Sequence, residues 1–135
     1  MLATSHHSIY ISIKIYMETP ESFLPLKPNW FHVLLALADA DRHGYAIMQE
    51  VLEHTGGKVR LWPATLYGTL QRLIEAELIA ESDARPAPDL DDARRRYYRI
   101  TPLGAQVLAA ESARLEDLVR ALRAKRPLLA EEAES

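Results

Sequence analysis

The chain contains no cysteine, so disulfide bonds, thiolate nucleophiles and cysteine-ligated zinc are excluded. It also lacks any apolar run near the ~20 residues of a membrane-spanning helix, because residues 31–38 form a short run that contains His32. Residues 1–27 do not follow the order of a signal peptide, which is a basic end, an apolar centre and a small-residue cleavage site. The sequence therefore predicts a soluble cytoplasmic protein with no membrane partner.

Motifs of catalysis and metal binding are missing as well. The chain has no Ser-His-Asp order, no glycine-rich phosphate loop and no paired carboxylates in an apolar surround. Its five histidines show no spacing typical of a metal site: they are His6, His7, His32, His43 and His54. We expect no enzymatic activity, no catalytic residue, no metal and no cofactor.

The net charge of −3 conceals an uneven distribution of charge. Residues 58–72 carry Lys58, Arg60 and Arg72 without an acid, and residues 94–99 carry four arginines without an acid. Removing these seven cations from the 16 basic residues leaves nine against 19 acidic residues, a balance of −10. This pattern predicts one anion-facing surface on an acidic body.

A length of 135 residues with 48% hydrophobic content is typical of one domain with short extensions. Apolar spacing predicts a first helix from Pro28, whose buried face is Phe31, Leu34, Leu35 and Ala38. A second helix is predicted from about Gly44 to His54, ended by Gly56 and Gly57, with a buried set of Tyr45, Ile47, Met48, Val51 and Leu52.

A third helix is predicted to begin near Pro63, with Leu66, Leu70, Leu73 and Ile74 on its inner face. A strand over residues 79–83 and another over residues 94–101 predict a β-hairpin with a long tip. Thr101 and Pro102 form a cap and a first turn, which opens a last helix that runs to about Lys125.

The first residues allow two interpretations. Ile9, Ile11, Ile13 and Ile15 alternate with polar or aromatic residues, a pattern typical of a half-buried strand. They form either an added edge strand or arm, or an extension upstream of a start at Met17. Because no partner strand lies nearby in the sequence, we treat residues 1–27 as a flexible extension.

The predicted order is helix, helix, helix, hairpin and helix, and three short motifs make this order more specific to one family. Residues 43–45 (HGY), 63–67 (PATLY) and 95–101 (RRYYRIT), followed by Gly104, together resemble the PadR family of bacterial transcriptional regulators. The resemblance covers about residues 30–123. It implies a mainly α (α+β) fold, a winged helix-turn-helix with a C-terminal dimerisation helix, and the single terminal helix is similar to the short PadR subfamily.

On this basis the DNA-binding domain covers residues 28–101, the dimerisation helix residues 102–126 and a flexible acidic tail residues 127–135. The third helix becomes the recognition helix, whose first residues must let the backbone approach base edges. Gln71 can pair with adenine and the Thr65 methyl can contact thymine. The predicted DNA-binding residues are Lys58, Arg60, Ala64, Thr65, Tyr67, Gly68, Gln71, Arg72, Arg94, Arg95 and Arg96.

Leucines recur every seven residues on the last helix, which predicts a partner helix, although Glu111 interrupts the repeat. We therefore expect packing against the first helix of a second subunit instead of a continuous coiled coil. The predicted dimerisation residues are Trp30, Phe31, Leu34, Leu108, Leu115, Leu118 and Leu122.

The function implied by the resemblance is that of a dimeric repressor on a palindromic operator of double-stranded DNA, released by a small-molecule effector. Trp30 is a candidate for an interfacial pocket, whereas an aromatic pore on the last helix is disfavoured because no aromatic residue follows Tyr98. Two departures from the family favour an alternative. Trp62 supplies no cap oxygen before the third helix, and the wing tip carries Asp89, Asp91 and Asp92. The alternative is a dimeric interaction module that keeps the fold with weak or no DNA binding.

Overall fold

The computed structural model describes residues 19–83 and 95–125. The elements are a short 3₁₀ helix (Pro20–Phe23), α1 (Pro28–Ala36), β1 (Arg42–His43), α2 (Gly44–His54), α3 (Pro63–Glu75), β2 (Ile79–Ser82), β3 (Tyr97–Ile100) and α4 (Pro102–Ala124). The three strands form an antiparallel sheet in the order β1-β3-β2. None of the helices in these two ranges is long and apolar enough to cross a membrane.

Proline, glycine and cap residues place these helix ends where the sequence predicts them. The predicted bounds of α2 agree with the structure, and Pro63 lies in the first turn of α3. Beyond α2, Gly56 and Gly57 adopt left-handed backbone angles, with φ of 62° and 80°. Residues other than glycine rarely adopt these angles. Thr101 caps α4 by accepting a hydrogen bond from the Gly104 N–H at 3.0 Å.

The predicted hairpin is present, and a third strand joins it. Ile79 of β2 pairs with Ile100 of β3, and Ser82 with Tyr97. β1 is only two residues long and pairs with the other edge of β3, in the register Arg42 to Tyr98. No alternation can be detected over two residues, so the sequence does not predict this strand.

The apolar core corrects the predicted inner face of α1. Leu35 and Ala38 are exposed and Phe31 is half-buried, whereas the fully buried positions are Val33, Leu34, Ala36 and Leu37. Leucine, valine or alanine occupies both sides of this short helix, so the periodicity of the apolar residues does not determine its orientation. The remaining core comes mainly from α2, α3, β2 and α4, through Ile47, Val51, Leu61, Leu66, Leu70, Leu73, Leu78, Ile79 and Val107.

Residues 19–27 also differ from the predicted flexible extension. They include the 3₁₀ helix and pack against α4, with Leu26 buried. The Leu26 N–H donates a 2.7 Å hydrogen bond to the Glu111 carboxylate, which is buried and also paired with Arg114. Glu111, the residue that interrupts the leucine repeat, therefore binds the backbone of this segment. Residues 1–18 and 126–135, with the rest of the predicted extension and the tail, lie outside the described residues.

The start of α4 packs directly on the turn between α3 and β2. A Cβ atom at Gly104 would lie 2.0 Å from the Leu78 carbonyl oxygen, so only glycine fits there. The Thr101 hydroxyl donates to the Glu77 carbonyl oxygen at 2.7 Å, and the Thr101 N–H donates to the Leu78 carbonyl oxygen at 3.0 Å. These contacts join the end of α3, the hairpin and α4.

Substitution of Gly104 tests this junction. Gly104→Ala forces a methyl group into backbone and should lower the free energy of unfolding by about 3 kcal/mol. Gly68→Ala is the matched control, because its added methyl meets only Arg72 at 3.8 Å. Within a helix that change should stabilise the protein by about 0.5–1 kcal/mol. Urea denaturation of both variants measures the difference, and equal stabilities would contradict the close approach at Gly104.

Removal of Glu111 tests how the N-terminal segment is held. The hydrogen bond from Arg114 lowers the pKa of Glu111, with help from the Leu26 N–H and the Arg114 charge, while burial opposes the shift. Because the folded pKa lies below the unfolded value of about 4.3, this stabilisation is present above that pH and is lost as the pH falls through the folded pKa.

Glu111→Ala should therefore cost about 1–3 kcal/mol at neutral pH, since it leaves the buried Leu26 N–H without its partner. The deficit relative to the wild type should shrink as the pH is lowered. Denaturation curves over a pH series measure it, and Glu53→Ala on the exposed side of α2 serves as the control. A deficit that does not change with pH would show that the charge of Glu111 contributes nothing.

Candidate nucleic-acid interface

A cleft of about 440 Å³ opens where α2, α3 and the wing meet. We call it the cationic cleft, and it is lined by His43, Gly44, Tyr45, Tyr67, Arg95, Arg96 and Tyr98. Two guanidinium groups, three phenols and an imidazole converge on it from elements that are far apart in the sequence. Such a lining can donate several hydrogen bonds to one anion, because guanidinium and phenol groups are both donors.

The inner wall of the cleft depends on a close contact between α2 and α3. A Cβ atom at Gly44 would lie 2.7 Å from the Tyr67 hydroxyl oxygen, so the phenol of Tyr67 packs directly on the first residue of α2. His43 caps that helix, because its Nδ1 accepts a hydrogen bond from the Ala46 N–H at 3.2 Å. Its ring meets Tyr97 edge to face, at 5.3 Å between ring centroids. The cleft wall is thus fixed by the HGY motif.

The cations of the cleft belong to the wing. The Arg95 Nη1 atom lies 3.2 Å from His43 Nε2, and Arg96 lies 3.5 Å from the Glu81 carboxylate. Both partners of the Arg96–Glu81 pair are more than half exposed, and exposed pairs contribute only about 0–1 kcal/mol. Arg96 can therefore exchange Glu81 for a phosphate at little cost.

Tyr98 on β3 is a buried residue of the cleft lining. Burial raises the pKa of Tyr98, the nearby Tyr67 and Glu81 raise it further, and Arg96 opposes them. A phenol is already protonated at neutral pH, and the raised pKa extends this state to higher pH, so Tyr98 keeps a proton to donate.

The surface of α3 agrees in part with the predicted recognition face. Ala64, Thr65 and Gln71 are exposed and Gly68 is half-buried. The buried side of the helix carries Leu66, Thr69, Leu70 and Leu73. Gln71 donates a 3.2 Å hydrogen bond to Glu75 one turn later, so pairing with adenine would have to replace that bond. Contact of these residues with DNA remains a prediction.

The other predicted DNA-binding residues surround this face. Tyr67 and Arg72 are exposed on α3, and Lys58 and Arg60 are exposed in the segment before it. Arg95 and Arg96 line the cationic cleft and precede β3 instead of lying within the predicted strand. Arg94 and the acidic wing tip fall outside the described residues.

Four residues of the cleft, His43, Gly44, Tyr45 and Tyr98, are missing from the predicted set. Tyr45 is 59% exposed, which corrects its predicted burial in α2. It lies 200° around the helix from Ile47, so strict helical geometry places it opposite the buried face. His43, Gly44 and Tyr98 lie within the HGY and RRYYRIT motifs, but nothing in their spacing shows that they meet. The pairing of β1 with β3 and the contact of Gly44 with Tyr67 bring them to one cleft.

A second surface runs along α4 and meets α1 at Phe31. Four large apolar side chains are exposed on α4, and Leu118 and Leu122 are the most exposed, at 53% and 55%. The others are Leu115 and Val119. Two adjoining cavities of about 420 and 380 Å³ lie along this face and share Phe31 and Ser112, and the smaller one is also lined by Leu35 and Leu108.

Two predicted dimerisation residues lie elsewhere. Leu34 is fully buried in the core of its own chain and has no surface for a partner, which corrects that assignment. Trp30 lines a different cavity with Lys27, Thr69 and Arg72, near α3, so the structure does not bring it together with the α4 leucines. Leu34 lies on the predicted buried face of α1, and its complete burial there leaves no surface for a second subunit.

The histidines form one side-by-side pair. His32 Nδ1 lies 3.1 Å from His54 Nε2 with the rings stacked, and burial, followed by the neighbouring His54, lowers the pKa of His32. In the part of the chain that the structure describes, no three histidine, aspartate or glutamate side chains cluster in the manner of metal ligands.

Three helices, a small sheet with a hairpin wing and a long terminal helix define a winged helix-turn-helix protein. The model of the PadR-like family of transcriptional regulators matches residues 33–110, more than half of the chain. The chain therefore belongs to the PadR-like family, as its motifs predict. An uncharacterized protein from Lysinibacillus sphaericus is 38% identical over 77 residues, which cover 57% of this chain and 68% of that protein.

Solved structures share the fold. A transcriptional regulator from Clostridium thermocellum has a TM-score of 0.57 at 24% identity, and the match covers 70% of this chain and 86% of that one. Bacillus subtilis PadR, determined in complex with operator DNA, has a TM-score of 0.52 at 19% identity, with 64% of this chain and 47% of that chain covered. At these identities the comparisons establish the winged-helix fold that the motifs predict.

Proposed function

We propose that this chain is a dimeric, sequence-specific DNA-binding regulator of the short PadR type, which represses transcription in the cytoplasm by occupying a palindromic operator. The observation that carries the proposal is the cationic cleft beside the exposed face of α3. Family membership and the operator complex of Bacillus subtilis PadR support the proposal.

The cleft has the chemistry of a phosphate site. Arg95 and Arg96 supply positive charge, while Tyr45, Tyr67 and Tyr98 supply phenol donors. A phosphate held there positions the protein on the duplex without reading its sequence. The neighbouring Ala64, Thr65 and Gln71 then face the major groove, in which the recognition helix of such domains lies.

The exposed apolar face of α4 is the proposed contact surface for the second subunit. Its four large side chains are costly to leave in water, and Phe31 on α1 continues the same surface. Pairing two chains through this face provides two recognition helices for operator half-sites about 34 Å apart. The Glu111 carboxylate is buried within its own chain, so its charge does not oppose this packing.

We place the effector site in the smaller cavity on the same face. Its volume of about 380 Å³ and its mainly apolar lining, which includes Phe31, Ile100 and Leu108, suit a small apolar molecule. The cavity adjoins the proposed subunit contact, so a bound molecule would alter the spacing of the two recognition helices. Trp30 lies outside this cavity, which argues against its predicted role there.

A paired arginine substitution tests the DNA-binding proposal. Arg95→Ala with Arg96→Ala removes four phosphate contacts from a dimer, and the slope of log affinity against log salt should fall by about 3.6. The measurement is a binding titration on DNA from upstream of the gene at several salt concentrations. Arg99→Ala is the control for the loss of an arginine outside the cleft, since Arg99 is exposed on β3 but does not line the cleft.

Two results would refute the assignment of the cleft. An unchanged salt slope in the double variant would show that Arg95 and Arg96 do not contact phosphates. Wild-type protein that binds no such DNA in a salt-dependent manner would instead favour the alternative, a winged-helix interaction module without DNA affinity.

An aspartate on α4 tests the dimer. Leu118→Asp places a charge in the centre of the apolar face and should convert the protein to monomers, because an unpaired charge is costly to bury. Ala113→Asp adds the same charge to the same helix about 140° around from Leu118, at an exposed position that lines neither cavity, and should leave the mass unchanged. Sedimentation analysis measures both, and a dimeric Leu118→Asp variant would contradict the proposed face.

A further inference from the structure

One large exposed side chain belongs neither to the cationic cleft nor to the apolar face of α4. Trp62 is 63% exposed, more than any other large apolar or aromatic side chain in the described residues. It occupies the N-cap position of α3 and makes no side-chain cap hydrogen bond. An aromatic ring in this position gives up the stabilisation that serine, threonine, asparagine or aspartate would provide.

The backbone presents Trp62 together with Arg60 as a rigid pair. Leu61 is buried in the core, and its neighbours on either side point outward, as alternation along an extended segment requires. The Arg60 guanidinium lies 5.1 Å from the centre of the indole ring, in a cation–π contact. Pro63 restricts Trp62 to extended backbone angles, and the observed values are φ −70° and ψ 154°. The backbone angles and this contact therefore favour one placement of the ring before any ligand arrives.

From these observations, and resting on the proposed DNA-binding function, we infer that Trp62 reads sequence by packing its indole ring against the methyl group of a thymine in the major groove. The N-terminal residues of a recognition helix are those that contact base edges. The thymine methyl is the apolar group that base pairs display in that groove. Arg60, stacked on the outer side of the ring, is then placed to contact the adjacent phosphate.

Deletion of the thymine methyl group tests the inference. The preferred operator is first selected from random DNA with the wild-type protein, and each thymine is then replaced in turn by deoxyuridine. In each half-site, one of these single replacements should weaken binding by the wild type about fourfold, which is the value of one buried methyl group. Trp62→Ser should bind the thymine and deoxyuridine forms of that operator equally.

Three companion variants separate the ring from general effects on charge and folding. Trp62→Phe keeps an aromatic ring and should keep most of the discrimination, whereas Arg60→Ala frees the ring and should reduce it. Lys58→Ala removes a nearby charge without touching the ring, so it should lower affinity but preserve the discrimination. Trp62→Ser should be at least as stable as the wild type in thermal unfolding, because serine restores a cap oxygen.

A spectroscopic measurement reports the contact directly. The chain has two tryptophans, so protein labelled with fluorotryptophan gives two fluorine resonances, which Trp62→Phe assigns. Operator DNA should shift the Trp62 resonance more than that of the half-buried Trp30.

The outcomes distinguish the inference from the function on which it rests. If the wild-type protein selects no DNA, the proposed function fails, and the inference fails with it. If it selects an operator, but Trp62→Ser keeps the same deoxyuridine sensitivity or weakens all sequences equally, Trp62 does not read thymine. In that case the DNA-binding function stands without it.

Discussion

The junction at the base of the wing holds the remaining parts of this protein in register. Gly104 packs against the Leu78 carbonyl group, while Thr101 bonds to the backbone of Glu77 and caps α4. The turn after the recognition helix, the strand of the wing and the terminal helix therefore meet at one point. The orientation of the proposed DNA surface relative to the proposed subunit contact depends on this packing.

The proposed DNA surface is a local basic feature on a chain of net charge −3. In that proposal the acidic body opposes DNA at long range, and the cations before β3 bind because they converge on a small cleft. Within that cleft Gly44 lets Tyr67 approach, and the exposed Arg96–Glu81 pair is weak enough to exchange. The proposed affinity then depends on the geometry of a few groups and little on net charge.

The two halves of the terminal helix have different surroundings. Its first half is fixed to its own chain, through the buried Val107 and the hydrogen bond from Leu26 to Glu111. Its second half presents Leu115, Leu118 and other apolar residues to solvent. Glu111 interrupts the leucine repeat because its partner is the N-terminal segment, so the same residue that breaks a coiled-coil pattern stabilises the fold.

Local patterns in the sequence predict the family, the hairpin and the starts of α3 and α4 at Pro63 and Pro102, because these depend on interactions between residues a few positions apart. They do not predict β1 or the 3₁₀ helix. They also indicate which side of α3 is exposed, since a helix period is local. The packing of distant segments alone brings Tyr45 into the cleft with Arg95 and bonds Glu111 to Leu26, 85 residues away. Such contacts have no signature in the spacing of a single chain, because the partners become neighbours only when distant segments pack together.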